Sequence, residues 1–351
     1  MTSRIPGAAI SLAALALIAS VSPDTPGARS GTEPHEFLRT VAGFSASELA
    51  ALEGGAPVAK ALDTDRREVA IVGAVQVKAP RERLFEQYRN VAGLRRSRVF
   101  MEVGTFSSAP RVEDLRGLTF EDSDLDAIRE CKPGDCGVRL PAESMVRFQR
   151  DVNWQAPDWR QQAASSWRRQ LADYAAGYLA GGNKALAEYQ NREVPLSVGQ
   201  EFRVLFEESR YFMPAAPEFF RYLEQFPAVP LEGAENILYW DKEAFGMRPV
   251  VSLTHLTLYA PPAGSSPSVP SALVATKQIY ATHYFDAALG LSLVFDDNVS
   301  GFYLLCINRA RTRSLTSFIR GVVRMTVRRR SRDAMEKILG TTKLALEQQS
   351  L

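Results

Sequence analysis

The chain has 351 residues, of which 46% are hydrophobic and 23% are charged; this composition is typical of a folded globular protein and excludes wholesale disorder. Its formal net charge of only +2 provides no overall field for an anionic polymer, so nucleic acid is not expected as a partner. Beyond the N-terminus, no segment stays apolar over the about 20 residues that a membrane-spanning helix needs.

The N-terminus has the layout of a secretory signal peptide. Arg4 precedes an apolar run from Gly7 to Val21, and small and polar residues follow. We predict that residues 1–28 direct export and are then removed, which places the mature protein in the periplasm or cell envelope. An uncleaved anchor or a buried hydrophobic helix is the alternative.

The next two segments, residues 29–67 and 68–140, are predicted to be an N-terminal helical segment and the first part of an α+β core. The Val- and Ile-rich stretch Glu68–Lys78 is a predicted strand, and Pro80 then begins an amphipathic helix. A second strand is predicted at Arg98–Ser107.

Cys131 and Cys136 flank a Pro133-Gly134 turn, which reverses the chain and can bring the two cysteines within bridging distance. The oxidising surroundings of an exported protein favour a disulfide, and we predict one here. A redox-active thiol pair or part of a metal site is the alternative. The spacing is not that of a C-x-x-C motif, and no further cysteine or histidine lies close in sequence. Cys306 is predicted to be a small buried hydrophobic residue.

Residues 141–234 are predicted to form a mostly helical insertion. Aromatic and small residues recur every three or four positions from Trp159 to Tyr178, which indicates one face of a long helix that Gly181-Gly182 ends. Further helices are predicted at Lys184–Asn191, Ser197–Ser209 and Pro217–Gln225.

In residues 235–351 apolar residues first recur at every second position and later recur at the three- or four-residue spacing of a helix. The pattern predicts an antiparallel meander followed by one long amphipathic helix, about Leu315–Gln349. A sheet with one apolar face and a helix with one apolar stripe can bury each other. The strands are predicted at Glu235–Glu243, Arg248–Tyr259, Ser271–Phe285, Ala287–Asp296 and Gly301–Arg309.

Two stretches of the sequence resemble START-like (SRPBCC, helix-grip) domains. Val75-Gln-Val-Lys-Ala-Pro80, followed by Arg-Glu-Arg-Leu-Phe85, is similar to the opening of these domains, where a first strand passes through Ala-Pro into an amphipathic helix. A last strand that feeds directly into a long helix is similar to their C-terminal end. The resemblance covers about residues 68–110 and 235–351, and the large helical insertion departs from it.

The resemblance implies an α+β fold in which a curved antiparallel sheet grips the long C-terminal helix, with an apolar pocket between them. Members of the superfamily commonly bind lipids, sterols, polyketides or other hydrophobic molecules, and a minority are enzymes. We therefore expect a non-catalytic binding or carrier protein whose partner is a hydrophobic or amphipathic, lipid-like small molecule. The helical insertion is expected to act as a gate over the pocket.

The alternatives are a hydrolase or cyclase that works in the same pocket, and an envelope scaffold that has no cavity. An enzyme would need His255 or His283 beside a carboxylate. No G-x-S-x-G, H-E-x-x-H or P-loop motif is present. We assign no catalytic residue, no cofactor and no metal site.

Four residues are expected to contact the ligand: Arg309, His283, Tyr280 and Trp167. Arg309 in the last strand is expected to hold a polar head group, and it would need a carboxylate or a bound anion as its partner if it is buried. Trp167 is expected either to pack in the core of the insertion or to form part of a lid. Nine arginines between residues 309 and 332 indicate a solvated helix face or, alternatively, a contact with an anionic membrane surface.

Overall fold

The structure, a computed structural model, describes residues 34–96, 99–244, 247–262, 270–297, 301–313 and 320–348. The predicted signal peptide and the first residues of the predicted C-terminal helix lie outside these ranges. For residues 94–96 and 320–323 only the backbone is described. Among the described residues, none of the helices combines the length and the apolar character that a membrane span requires.

One antiparallel sheet of eight strands organises the molecule, in the spatial order β1-β2-β10-β9-β8-β7-β6-β3. The two remaining strands, β4 and β5, pair with each other inside the helical insertion. The sequence pattern placed β6 and β9 to within one residue. In chain order the strands are β1 Val58–Ala61, β2 Glu68–Val77, β3 Phe100–Thr105, β4 Glu188–Tyr189, β5 Leu196–Ser197, β6 Glu235–Glu243, β7 Val250–Tyr259, β8 Ala272–Ala281, β9 Ala287–Asp297 and β10 Gly301–Arg311.

Helices cover both faces of this sheet. We call the face under α3 and α9 the grip face, and the face under α1, α2 and α4 to α8 the helical-layer face. The α-helices of the described residues are α1 Pro34–Thr40, α2 Ala46–Glu53, α3 Glu82–Arg89, α4 Asp122–Glu130, α5 Ala142–Asp151, α6 Trp159–Gly181, α7 Val198–Glu207, α8 Pro217–Gln225 and α9 Arg320–Glu347.

The C-terminal helix α9 lies along β1 and β2 on the grip face. Its buried stripe includes Met335, Leu339 and Leu346, which recur at helical spacing and join the same apolar cluster as β2. Gly73 of β2 permits the close approach, because a Cβ at this position would lie 2.7 Å from Met335 and 2.8 Å from Leu339. The predicted α+β fold, with a sheet that grips the C-terminal helix, is confirmed.

The helical insertion packs on the opposite side of the sheet from α9. Leu289, Leu291 and Leu293 of β9 face this layer, whereas the alternating residues Ser292 and Val294 face the grip side. Helices therefore lie on both sides of the sheet, and the expectation that the insertion gates a pocket under α9 is wrong, because the sheet separates the two.

The disulfide Cys131–Cys136 closes the Pro-Gly turn, with the two Cα atoms 4.5 Å apart, and confirms the predicted pairing. Gly134 has a φ of +90°, which glycine adopts without strain. Its backbone N–H donates to the carbonyl of Gln190 at 2.7 Å, so the turn is tied to the insertion. Cys306 is buried as a free thiol, as predicted.

The segment around residues 184–191 is not the helix that its sequence predicted. A 3₁₀ turn at Gly182–Ala185 is followed by β4. The backbone N–H of Val198 donates to the carbonyl of Ala187 at 3.0 Å, and Gln190 exchanges hydrogen bonds with Leu140 and Gly134. These long-range partners use the backbone groups that a helix would have paired locally.

Candidate functional site

Strand alternation places a band of polar side chains on the grip face. Tyr239 and Asp241 of β6 lie opposite Thr254 and Ser252 of β7, and Thr254 in turn lies opposite Gln278 of β8. Gln278 Nε2 donates to Ser252 Oγ at 2.9 Å, which confirms that these side chains share one face. We call this set the polar wall: Tyr239, Asp241, Glu243, Ser252, Thr254 and Gln278.

The polar wall is buried, yet several of its atoms have no hydrogen-bond partner in the protein. Tyr239, Asp241 and Thr254 are each 1% exposed, and Gln278 is 8% exposed. Asp241 Oδ1, Thr254 Oγ1, Gln278 Oε1 and the Tyr239 hydroxyl all lack a partner. The hydroxyls of Tyr239 and Thr254 are neighbours, but they do not meet hydrogen-bond geometry.

Unpaired buried polar atoms are costly, at about 1 to 3 kcal/mol each, and native proteins pair more than about 90% of them. A concentration of four such atoms on one patch is therefore unlike an ordinary core. Water or a bound molecule would meet their hydrogen-bonding capacity.

Asp241 and Glu243 form a buried carboxyl pair within the polar wall. They are two residues apart on one strand, so both side chains lie on the same face. Burial, and next the neighbouring Glu243 carboxyl, raise the pKa of Asp241 well above its usual range. The Asp241 carboxyl therefore favours its protonated form.

Beside the polar wall, the middle of the sheet remains open to solvent on the grip face. Thr276, Ala288, Gly290 and Asn308 lie on the central strands β8, β9 and β10, and all four are partly exposed. We call them the cleft floor. A Cβ at Gly290 would lie 2.4 Å from Thr276 Oγ1 and 2.7 Å from Asn308 Oδ1. The absence of a side chain at Gly290 therefore leaves room for the side chains of Thr276 and Asn308 on either side.

The boundaries of the cleft are set by the helices of the grip face. Helix α9 covers β1 and β2, and α3 reaches over β9, where Tyr88 Oη lies 2.8 Å from Ser292 Oγ. A small apolar cluster of Val250, Ala281, Phe285 and Ala310 adjoins the floor at Ala288. The partly exposed floor thus lies between the buried polar wall on one side and a buried apolar cluster on the other.

Two of the expected ligand residues are instead held within the helical-layer face. Arg309 is buried; its guanidinium pairs with Glu68 and donates to the carbonyl of Glu208. This pairing provides the carboxylate partner that a buried arginine at this position was expected to need. Trp167 of α6 stacks on Phe120 with ring centroids 4.1 Å apart, so it packs in the core.

The other two expected ligand residues also face the helical layer. His283 Nε2 donates to Asp124 Oδ1 at 3.1 Å, and the Tyr280 hydroxyl donates to the carbonyl of Arg139 at 3.1 Å. Both side chains are buried, with exposures of 8% and 3%. The structure therefore brings none of the four expected residues to the cleft.

His255 and Lys277 lie under the helices as a buried polar group. Lys277 Nζ donates to Asn183 Oδ1 at 2.5 Å and to Tyr178 Oη at 3.2 Å, and burial lowers its pKa to about 7. The Tyr178 hydroxyl donates to His255 Nδ1 at 2.8 Å, and His255 Nε2 donates to Asn236 Oδ1 at 2.8 Å. Burial, and next the nearby Lys277, lower the pKa of His255 to about 3. His255 thus has amide and hydroxyl partners, and His283 is the histidine of the two that contacts a carboxylate, that of Asp124.

The arginine-rich stretch is explained largely by internal contacts. Arg324 Nη2 donates to the carbonyl of Thr64 at 2.7 Å, and Arg328 Nη2 donates to the carbonyl of Leu62 at 2.9 Å, so both tie α9 to the connection between β1 and β2. Arg329 and Arg330 are exposed on the outer side of α9. Arg311 pairs with Asp65, Glu68 and Glu201, and Arg332 pairs with Asp333.

No family model, no characterised protein and no solved structure matches this chain. Within the described residues, no three His, Cys, Asp or Glu side chains are grouped so that they could hold a metal ion. The cleft between the polar wall and α9 is the candidate site.

Proposed function

We propose that this protein is a non-catalytic binding or carrier protein of the START-like, helix-grip class, and that it holds a small amphipathic molecule in the cleft of the grip face. The passage of β2 into α3, and of β10 towards α9 on the same face, supports this class. The observation that carries the proposal is the set of unpaired buried polar atoms beside a solvent-accessible floor.

Binding in this cleft has two sources of free energy. Each hydrogen bond that a ligand makes to the polar wall contributes about 0.5 to 1.5 kcal/mol, and more where the partner is charged. An apolar part laid against the cluster around Phe285 and Ala310 contributes about 25 cal/mol per Å² of apolar surface removed from water. A molecule with both parts satisfies both sides of the cleft, whereas a wholly apolar one leaves the wall unpaired.

Export accords with the covalent structure. The disulfide Cys131–Cys136 is compatible with an oxidising compartment, and we propose that the protein works in the periplasm or cell envelope.

A hydrolase or cyclase is the second candidate, and the Asp241–Glu243 pair is the observation that favours it. A buried carboxyl group with a raised pKa beside a second carboxyl is suited to general acid–base chemistry. In that case Asp241→Asn would retain a bound substrate and lose turnover, whereas a carrier has no turnover to lose.

The proposal is tested by native mass spectrometry of protein purified from its own cell envelope. The wild type is expected to carry a small-molecule mass. Ala288→Trp, which fills the cleft floor, is expected to lose it. Ala50→Trp, at an exposed position of α2, serves as the control and is expected to keep it.

Wild-type protein without any bound mass, or Ala288→Trp with the mass still bound, would overturn the proposal. The first of these outcomes is also the one that a scaffold without a ligand predicts. Thermal unfolding of both variants establishes that each is folded before its spectrum is interpreted.

A further inference from the structure

We infer that the molecule held in the cleft carries a positively charged nitrogen, such as a protonated amine, and that Asp241 receives it. This inference rests on the proposed function and specifies the chemistry of the ligand head group. It starts from the distribution of charge over the two faces of the sheet.

The strands that carry the wall and the floor separate their charges by face. The basic side chains of β6, β8 and β10 all lie on the helical-layer face, where Lys242 contacts Glu121 at 2.8 Å, Lys277 is bound by Asn183, and the two arginines of β10 join acidic partners. Asp241 and Glu243 lie on the grip face. An anionic head group in the cleft would therefore lie beside the Asp241 carboxyl, whose ionisation it would oppose, and away from the basic side chains of these strands.

The unpaired atoms of the wall are mainly acceptors. Gln278 commits its Nε2 group to Ser252, which leaves its Oε1 atom as an acceptor, and Asp241 Oδ1 is a carboxyl oxygen. The hydroxyls of Thr254 and Tyr239 can accept as well. An ammonium group has three donors and no acceptor, so its hydrogen-bonding pattern is complementary to this set.

The acidity of Asp241 favours a cationic ligand group over a neutral hydrogen-bond donor. An ionised carboxylate buried away from water is costly unless an opposite charge accompanies it. A cation at Asp241 allows the carboxyl to ionise and converts its hydrogen bond into a charge-assisted one, which is roughly twice as strong as a neutral one. Thr254 Oγ1 and Gln278 Oε1, two buried oxygen atoms without a partner on the same face, supply the remaining contacts independently of the acids.

The experiment uses three probes that share one apolar chain and differ in the head group: hexylamine, hexanol and hexanoate. Their affinities for the ligand-free mature protein are measured by calorimetry near neutral pH, where the amine is protonated. The amine is expected to bind about tenfold or more tightly than the alcohol, and hexanoate is expected to bind most weakly.

Asp241→Asn keeps the shape of the side chain and removes its charge. This variant is expected to lose about tenfold in affinity for hexylamine and to change its affinity for hexanol by less than about twofold. Glu235→Gln is the matched control, because Glu235 lies on the same strand and face but pairs with Arg89 at the surface. It is expected to preserve the preference for the amine.

Equal binding of the three probes, or preferred binding of hexanoate, would overturn the inference and leave the proposed function standing. If none of the probes binds and the native mass spectrum is also empty, the proposed function fails as well. The wild-type series alone decides the inference if Asp241→Asn does not fold, since the order of the three affinities needs no variant.

Discussion

Met335 of α9 lies directly above Gly73 of β2, so close that a Cβ at the glycine would be 2.7 Å from the methionine Cγ atom. The same Cβ would lie 3.0 Å from the carbonyl oxygen of Val58, which is backbone and cannot move aside easily. The close packing of the C-terminal helix on the sheet therefore requires glycine, which has no side chain, at position 73.

Replacing Gly73 with valine is expected to push α9 away from β2 and to lower the free energy of unfolding by about 1 to 3 kcal/mol, the usual cost of overpacking a core. Urea denaturation measures the change. Gly177→Ala in α6 is the control; a Cβ there meets nothing within 4 Å, so this change is expected to raise stability by up to about 1 kcal/mol. Equal effects of the two substitutions would contradict the close contact of α9 with β2.

Thr254 and Ser252 provide a matched pair on one strand of the polar wall. Thr254→Val removes a hydroxyl that has no partner and is expected to leave stability unchanged or raise it by about 1 kcal/mol in ligand-free protein. Ser252→Ala removes the acceptor of the Gln278 amide and is expected to lower stability by about 1 kcal/mol. Denaturation of both variants is the measurement. A loss from Thr254→Val as large as that from Ser252→Ala would show that its hydroxyl is satisfied within the protein.

Lys277 is expected to make stability depend on pH. Its pKa is lowered to about 7 in the folded protein from 10.5, because burial disfavours the charged amine. Between these two values the unfolded chain binds a proton that the folded chain does not, so stability rises with pH, by at most about 1.4 kcal/mol per pH unit.

Denaturation of the wild type at several pH values from 7 to about 10 measures this rise. Lys277→Met is expected to abolish the Lys277 contribution to the slope. Lys184→Met, at an exposed lysine of the same region, is the control and is expected to keep the slope. A wild-type slope that persists in Lys277→Met would assign the pH dependence to other groups.

Arg309 is expected to matter for stability and not for binding. Arg309→Met leaves the buried Glu68 carboxylate with less compensation, and breaking a buried ion pair of this kind costs about 3 to 5 kcal/mol. The affinity of the folded variant for hexylamine is expected to equal that of the wild type, because Arg309 faces the helical layer. Calorimetry below the unfolding temperature tests this, and a selective loss of affinity would restore Arg309 as a ligand contact.

Local sequence rules predicted the elements whose ends are fixed by neighbouring residues. Strand β6 matches its predicted bounds, and α8 begins at Pro217 and ends at Gln225, as predicted. Strand β1 was missed because a four-residue strand exists only through its pairing with β2, which no short window of sequence records. The failed helix at residues 184–191 has the same origin, since distant partners decide its backbone hydrogen bonds.

The candidate site was harder to predict than the fold. The residues expected to contact the ligand were His283, Tyr280, Arg309 and Trp167, and the structure places all four on the helical-layer face. The missed signal is the run Asp241-Lys242-Glu243 at the end of β6, where charges alternate along a strand that is buried on both sides. Acidic and basic side chains that alternate along such a strand indicate that polar groups lie on both of its faces. The sequence does not reveal which face the insertion would cover.

The sheet ends at both sides in short strands: β1 has four residues and β3 has six. A charged residue stands on each of them, Lys60 on β1 and Glu102 on β3. Long uncovered border strands are what lets one copy of a protein extend the sheet of another, and brevity and charge both discourage it. The shortness and the charge of both border strands therefore disfavour edge-to-edge aggregation of the eight-stranded sheet.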